Sequence, residues 1–111
     1  MSDEALAKSD LVDNRLSKGV AILDKDKLQF PLVWRTWRPG DSFFPLGMDH
    51  RKKLSDFFVD NKVSMTEKEE ATVLESRGEI AWVVGYRVDN RFKVRDGTKE
   101  TIVFDLKGFA I

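Results

Sequence analysis

Apolar and polar residues alternate most clearly in the segment between residues 28 and 37. Every second side chain there is apolar, as on one face of a β-strand: Leu28, Phe30, Leu32 and Trp34. Pro31 lies within this segment. Because proline has no N–H to donate to a neighbouring strand, we predict that this strand lies at a sheet edge or carries a bulge.

Two apolar runs around a glycine turn predict a β-hairpin. Residues 71–76 and 79–85 flank the dipeptide Arg77-Gly78, a connection typical of paired antiparallel strands. The run from Ile80 to Val84 is apolar on both faces. Its strand is therefore predicted to lie inside the sheet rather than at an edge.

Helical spacing is found at one place in the chain. Leu54, Phe57 and Phe58 lie three or four positions apart, followed by Asn61, and predict one main helix near residues 50–61 with Asp49 as a possible cap. No element is predicted over the polar and acidic residues that follow.

Short apolar runs at residues 19–23 and 101–106 bring the total to about five strands. With one main helix, the predicted class is α+β, a small sheet-dominated domain that resembles a sandwich or a barrel. We expect this domain to span residues 18–111. Residues 1–17 are polar with scattered leucines and are predicted to be a linker or junction segment.

Length and composition limit what the chain does. Its 111 residues fit one domain and leave no room for a separate catalytic domain of ordinary size. No apolar stretch reaches the roughly 18 residues of a membrane span, so no membrane association is expected. The chain has no cysteine, which excludes disulfides and suits a cytoplasmic location.

The formal net charge is zero, which argues against a broadly basic nucleic-acid clamp. The distribution is uneven, however. Residues 35–53 and 86–99 each contain five basic and two acidic residues, whereas residues 54–80 contain seven acidic and three basic ones. This predicts a polarised surface if the fold brings the basic segments together; the alternative is a solvated surface of mixed charge.

No catalytic site is predicted. His50 lies near Asp41, Ser42 and Asp49, the residue types of a nucleophile–base–acid set, but no Gly-x-Ser-x-Gly turn accompanies them. The sequence also has no glycine-rich phosphate loop. With one histidine and no cysteine, a zinc site is not expected, and the acidic segment 67–70 does not follow a calcium-loop pattern. We predict no catalytic residue, metal or cofactor in this chain.

Arg51, Lys52 and Lys53 stand at the predicted start of the helix. Cations there oppose the helix dipole, at roughly a few tenths of a kcal/mol each. They favour an external anion, because their charged groups and the free backbone N–H groups would converge on it. A nucleic-acid phosphate is the anion that this predicts. The alternative is that these side chains lie in a loop before the helix and point into solvent.

Arg35 and Arg38 are interleaved with two tryptophans in the segment 34–38. This arrangement suits phosphate contacts combined with stacking on a base. The alternative, at least as common, is a buried tryptophan with arginines at its rim.

Three blocks of the sequence, taken together, resemble the C-terminal domain of bacterial tRNA(Ile)-lysidine synthases, a family of PP-loop ligases. The blocks are WRPGDSFFPLG at 37–47, KKLSDFF at 52–58 and GEIAWVVGYRVDNRFKV at 78–94. Their order and spacing match, and the resemblance covers roughly residue 18 to the end.

The resemblance implies that catalysis and tRNA contact belong to different domains of the enzyme. Complete enzymes of this family use ATP to attach lysine to the wobble cytidine of an isoleucine tRNA, and their N-terminal domain carries a Ser-Gly-Gly-x-Asp-Ser phosphate loop that is absent here. ATP and Mg²⁺ are thus expected in that other domain. The C-terminal domain is implied to contact the acceptor-stem side of tRNA(Ile), positioning its backbone rather than reading bases. Other domains of the same enzyme are further expected partners, and a homodimer is compatible with the sequence.

The predicted tRNA contacts are eight basic residues: Arg35, Arg38, Arg51, Lys52, Lys53, Arg87, Arg91 and Lys93. One position and one segment depart from the family pattern. Ser42 replaces a common arginine, and residues 64–70 are acidic where relatives are often basic, so neither is carried over. The alternative function is an interdomain or subunit interaction module without direct tRNA contact. An exposed apolar patch from Phe43, Phe44 or residues 1–17 would favour it.

Overall fold

The computed structural model describes residues 19–106. Four strands precede the helices: β1 (Val20–Asp24), β2 (Leu32–Thr36), β3 (Ser42–Phe43) and β4 (Lys52–Lys53). The two α-helices are α1 (Leu54–Asp60) and α2 (Met65–Glu70), and 3₁₀ helices lie at Lys25–Lys27 and Asn90–Phe92. Four strands follow: β5 (Thr72–Ser76), β6 (Glu79–Val83), β7 (Arg87–Val88) and β8 (Thr101–Asp105). The predicted sheet-dominated α+β class is confirmed, and the predicted linker over residues 1–17 lies outside the described residues.

An antiparallel sheet of four strands, in the order β2-β5-β6-β7, forms the centre of the domain. β2 begins directly after Pro31 and lies at an edge, as predicted, so the missing proline N–H costs no ladder bond. β6 lies inside the sheet, as its apolar run predicts. The turn between β5 and β6 consists of Arg77 and Gly78, with φ of 50° and 83°, the backbone of a two-residue hairpin.

Apolar side chains pack on both faces of this sheet, because neighbouring residues of a strand point to opposite sides. One face packs against the paired strands β1 and β8 around Trp82, which is buried. The other face packs against α1 and the paired strands β3 and β4 around three buried rings: Phe43, Phe57 and Phe58. The Phe57 ring lies edge-to-face against Phe43, with centroids 5.2 Å apart. The result is a layered sandwich with two apolar cores.

The main helix begins later than predicted. Lys53 is the residue before its first turn and makes no side-chain capping bond, while the Leu54 N–H donates to the Asp41 carbonyl oxygen at 2.9 Å. The prediction that Asp49 caps this helix is wrong, because the chain forms β4 between Asp49 and the helix. The backbone of Lys52 and Lys53 thus pairs with β3 before the helix starts.

A second short helix, α2, occupies a segment in which no element is predicted. The Ser64 side chain accepts a hydrogen bond from the Glu67 N–H at 3.2 Å, and Glu67 Oε1 accepts one from the Ser64 N–H at 3.1 Å. This reciprocal capping box starts the helix. The Ser-x-x-Glu pattern at 64–67 is the signal in the sequence that indicates it.

Alanine substitutions on the buried and exposed faces of α1 should differ strongly in how much they lower the free energy of unfolding. Phe57→Ala should lower the free energy of unfolding by about 3–5 kcal/mol, because it removes a buried ring from between α1 and the sheet. Val59, on the same helix, is 69% exposed, and Val59→Ala should change stability by less than about 1 kcal/mol. Urea denaturation followed by tryptophan fluorescence measures both. Equal losses in the two variants would contradict the described packing of α1.

Candidate nucleic-acid interface

The pairing of β3 with β4 decides where three of the predicted basic residues lie. Lys52 stands opposite Phe43 and Lys53 opposite Ser42, with Arg51 immediately before them. Their predicted position at the start of the helix is therefore wrong: Lys52 and Lys53 form β4, which precedes the helix, and Arg51 precedes β4. Lys52 Nζ forms an ion pair with Asp60, at the far end of α1. Lys53 is exposed.

The two basic segments meet at the ring of Phe44. The Cζ atom of Arg51 lies 4.8 Å from the ring centroid, and that of Arg91 lies 4.6 Å from the same centroid. Both distances are within the range of cation–π attraction. Glu79 Oε1 accepts a hydrogen bond from Arg91 Nη1 at 2.6 Å and lies 3.9 Å from Arg51 Nη2. Two guanidinium groups from distant parts of the sequence thus share one aromatic ring and one carboxylate.

A buried carboxylate fixes Arg91 in this place. Asp89 is fully buried, and its oxygens accept hydrogen bonds from Arg91 Nε at 3.0 Å and Nη2 at 2.9 Å. The same carboxylate accepts the backbone N–H groups of Phe44 at 2.9 Å and of Arg91 at 2.7 Å. The side-chain hydrogen bond to Asp89 raises the pKa of Arg91, against the opposing effect of burial. The sequence does not indicate this role of Asp89, because it depends in part on the Phe44 N–H, which is 45 residues away along the chain.

Arg35 belongs to a second set of ion pairs. Its Nη1 and Nη2 lie 3.0 and 3.1 Å from the two oxygens of Asp41, and its Nε lies 2.7 Å from Glu75 Oε1. The Arg35 side chain is 13% exposed. It connects β2, β5 and the turn before β3, so most of its donors face other residues of the domain.

The two tryptophans beside Arg35 pack on opposite faces of the central sheet. Trp34 lies edge-to-face against Trp82 at 5.9 Å between centroids, and Trp37 lies against Phe58 at 5.2 Å. The Trp37 indole N–H donates to the Lys68 carbonyl oxygen at 2.6 Å. Neither ring is fully buried, since Trp34 is exposed and Trp37 is half-buried, but both pack against buried aromatic rings of the domain.

The remaining predicted residues divide between two places. Arg38 is exposed in the turn that leads into β3, where its backbone N–H donates to Asp41 at 2.7 Å. Arg87 lies over the Phe57 ring, 5.6 Å from its centroid. Lys93 instead pairs through its backbone with Leu23 of β1, next to the other layer of the domain.

The residue types of a nucleophile–base–acid set do not assemble. His50 Nδ1 lies 3.6 Å from Asp49, with both side chains exposed, while Ser42 Oγ accepts a hydrogen bond from Arg51 at 3.0 Å. Within residues 19–106 no group of three or more His, Cys, Asp or Glu side chains is arranged to hold a metal ion. No helix in this part of the chain is long and apolar enough to cross a membrane.

The fold and this surface define a class of small α+β domain. Its central sheet is covered on both faces, and arginines from two segments of the sequence lie beside the Phe44 ring. The family model of the TilS substrate C-terminal domain matches residues 32–104, and the chain belongs to that family.

Relatives and solved structures agree with this assignment. The chain is 51% identical over 92 residues to the tRNA(Ile)-lysidine synthase of Parabacteroides distasonis, covering 83% of this chain and 21% of that protein. The enzyme of the same name from Bacteroides thetaiotaomicron is 42% identical over 89 residues, covering 80% and 21%. The chain thus spans about a fifth of the length of these curated relatives.

Two solved structures share the architecture. A crystal structure of a TilS C-terminal domain superposes with a TM-score of 0.67 at 25% identity, covering 78% of this chain and 67% of that one. An N-terminal fragment of the phenylalanyl-tRNA synthetase β-subunit from Pyrococcus horikoshii has a TM-score of 0.70 at 16% identity, covering 93% and 35%. The second likeness is one of fold alone.

The Arg35–Asp41 pair predicts a dependence of stability on pH. Burial alone would raise the pKa of Asp41, but the hydrogen bonds from Arg35 and from the Arg38 backbone outweigh it and lower this pKa. The charged carboxylate therefore stabilises the fold above its unfolded pKa of about 3.9, and this contribution is lost as the pH falls through the folded value. Asp41→Asn should lower the free energy of unfolding by about 1–3 kcal/mol at neutral pH.

The difference in free energy of unfolding between Asp41→Asn and the unchanged chain should decrease as the pH falls below about 4. Urea denaturation at several pH values measures it. Glu69→Gln is the matched control, since Glu69 is exposed on α2, and should change stability by less than about 0.5 kcal/mol throughout. A loss for Asp41→Asn that is the same at acid and neutral pH would contradict the role of its charge.

Proposed function

We propose that this chain is the tRNA-docking domain of a tRNA(Ile)-lysidine synthase, an ATP-dependent enzyme that converts the wobble cytidine of an isoleucine tRNA to lysidine. The observation that supports docking is a set of exposed cations beside β3 and β4, which we name the ribbon surface: Arg38, Arg51 and Lys53. Phe44 joins this surface to Arg91 of the second basic segment.

The ribbon surface is a better candidate for phosphate contacts than the other predicted residues. A phosphate contact requires donors that solvent reaches. Arg35 and Arg91 direct their donors to carboxylates of the domain, and Lys52 is paired with Asp60. While these pairs are in place, the three residues shape the surface rather than form its outer contacts. With a net charge of zero, the domain provides a local grip whose affinity depends steeply on salt.

The same proposal includes the partners and the location. The ribbon surface would contact tRNA(Ile) on its acceptor-stem side, while ATP and Mg²⁺ would bind in a catalytic domain that this chain does not match. The enzyme would act in the cytoplasm, and the docking domain would contact the other domains of the enzyme and, in a homodimer, a second subunit.

A second candidate function is an interaction module that packs on another domain without touching tRNA. Large apolar side chains at edge strand β2 favour it, since Phe30 is 50% exposed and Trp34 is 42% exposed. Two residues whose exposure would have supported this function do not provide a patch: Phe43 is fully buried, and Phe44 is half-buried under two guanidinium groups. Residues 1–17, the third predicted source of a patch, lie outside the described residues. The contacts of the ribbon surface therefore favour docking to tRNA.

Removal of the ribbon surface should weaken tRNA binding. The combined variant Arg38→Ala, Arg51→Ala and Lys53→Ala should lower the affinity of the chain for a tRNA(Ile) transcript by about tenfold or more at about 50 mM salt. The slope of log affinity against log salt should fall by about 0.7–0.9 for each phosphate that the variant no longer neutralises. Fluorescence anisotropy with labelled transcript measures both quantities.

The control variant removes the same charge from another part of the domain. Lys25, Lys27 and Lys99 are exposed near β1 and β8, and their combined replacement by alanine should leave most of the affinity and the salt slope intact. Equal effects of the two triple variants would reject the ribbon surface as the docking site. If the unchanged chain bound no tRNA at low salt, docking itself would be rejected in favour of the interaction module.

A further inference from the structure

Glu79 occupies an unusual place for an acidic residue in a proposed phosphate-binding surface. It is the first residue of β6, and its side chain is 48% exposed. One of its carboxylate oxygens receives a 2.6 Å hydrogen bond from Arg91 and lies 3.9 Å from Arg51. It is therefore the carboxylate that faces the outer donors of the pair of arginines above Phe44.

The anchoring of Arg91 does not need Glu79. Asp89 already holds the Nε and Nη2 atoms of Arg91 from the buried side, with distances of 3.0 and 2.9 Å. An ion pair as exposed as that of Glu79 contributes about 0–1 kcal/mol to stability, because water screens it and ordering the side chains costs entropy. Stability alone thus gives a weak reason for an acid at this position.

Glu79 affects the local charge more than it affects stability. Arg51 and Arg91 carry two positive charges, and Asp89 and Glu79 carry two negative ones, so the cluster around Phe44 is formally neutral. Without Glu79 it would carry one positive charge. A carboxylate oxygen and a phosphate oxygen accept the same charge-assisted hydrogen bonds from a guanidinium group. An incoming phosphate and Glu79 therefore compete for the same donors.

We propose that Glu79 is an affinity-determining residue of this domain, whose carboxylate holds the position between Arg51 and Arg91 that a phosphate oxygen of bound tRNA takes. The inference rests on the proposed docking function. Binding of the tRNA backbone displaces the Glu79 side chain toward solvent, and its return favours release. The carboxylate lowers affinity so that docking stays reversible, and the second basic segment contributes to binding only after this exchange.

Removal of the negative charge of Glu79 tests the exchange. Glu79→Gln should raise the affinity of the chain for a tRNA(Ile) transcript by about threefold to tenfold at low salt and steepen the salt slope by about 0.7–0.9, the value for one additional neutralised phosphate. Glu79→Ala should act in the same direction, so that either variant decides the question if the other fails to fold. Glu100→Gln changes the net charge equally at an exposed residue near β8 and should leave affinity and slope almost unchanged.

A double variant locates the effect. If the phosphate oxygen takes the position between Arg51 and Arg91, the gain from Glu79→Gln should largely vanish in the background of Arg51→Ala. If the unchanged chain binds tRNA and loses affinity without the ribbon surface, but Glu79→Gln and Glu79→Ala bind equally or more weakly, the competition is overturned while the docking function stands. A gain of equal size from Glu100→Gln would also overturn it, because the effect would then be one of net charge. If the unchanged chain binds no tRNA, the proposed function itself fails.

Discussion

The buried carboxylate of Asp89 is the interaction on which the arrangement of this domain depends. A charge with no exposure to solvent is stable only when it is paired and hydrogen-bonded, and Asp89 receives donors from two separate segments of the chain. The Phe44 N–H and the Arg91 guanidinium both donate to it. The Asn90 N–H in turn donates to the Phe44 carbonyl oxygen at 2.7 Å. The loop after β3 and the turn after β7 are thereby joined, and the Phe44 ring is presented to Arg51 and Arg91 together.

The arginines of this domain serve two different purposes, although their residue type is the same. Arg35 and Arg91 lie against carboxylates of low exposure and connect segments that are far apart in sequence. Arg38 and Arg51 lie farther out, where solvent reaches them. A guanidinium group suits both purposes because its planar fork of donors binds a carboxylate or a phosphate in the same geometry. The number of arginines in a sequence is therefore a poor guide to the number available to a ligand.

Ion pairs join the acidic segment of the sequence to both basic segments. Acidic residues of the predicted acidic segment, Glu75 and Glu79, end up beside arginines of the two basic segments. These pairs engage part of the two basic segments. The cations of these segments that stay exposed are Arg38, Arg51 and Lys53 beside β3 and β4, and Arg95 and Lys99 before β8.

The sequence by itself determined the class of the domain, its edge and inner strands, its hairpin and its family. These features depend on local spacing, on proline and glycine geometry, and on blocks of residues in a recognisable order. The tertiary structure decided where α1 begins, because Lys52 and Lys53 form a strand that pairs with Ser42 and Phe43. The spacing of apolar residues along the chain does not indicate that pairing. It also decided which cations are engaged and which are exposed. An ion pair forms between side chains that are close in space, and their separation along the chain follows no rule. The contact of Arg91 with Glu79 is an example.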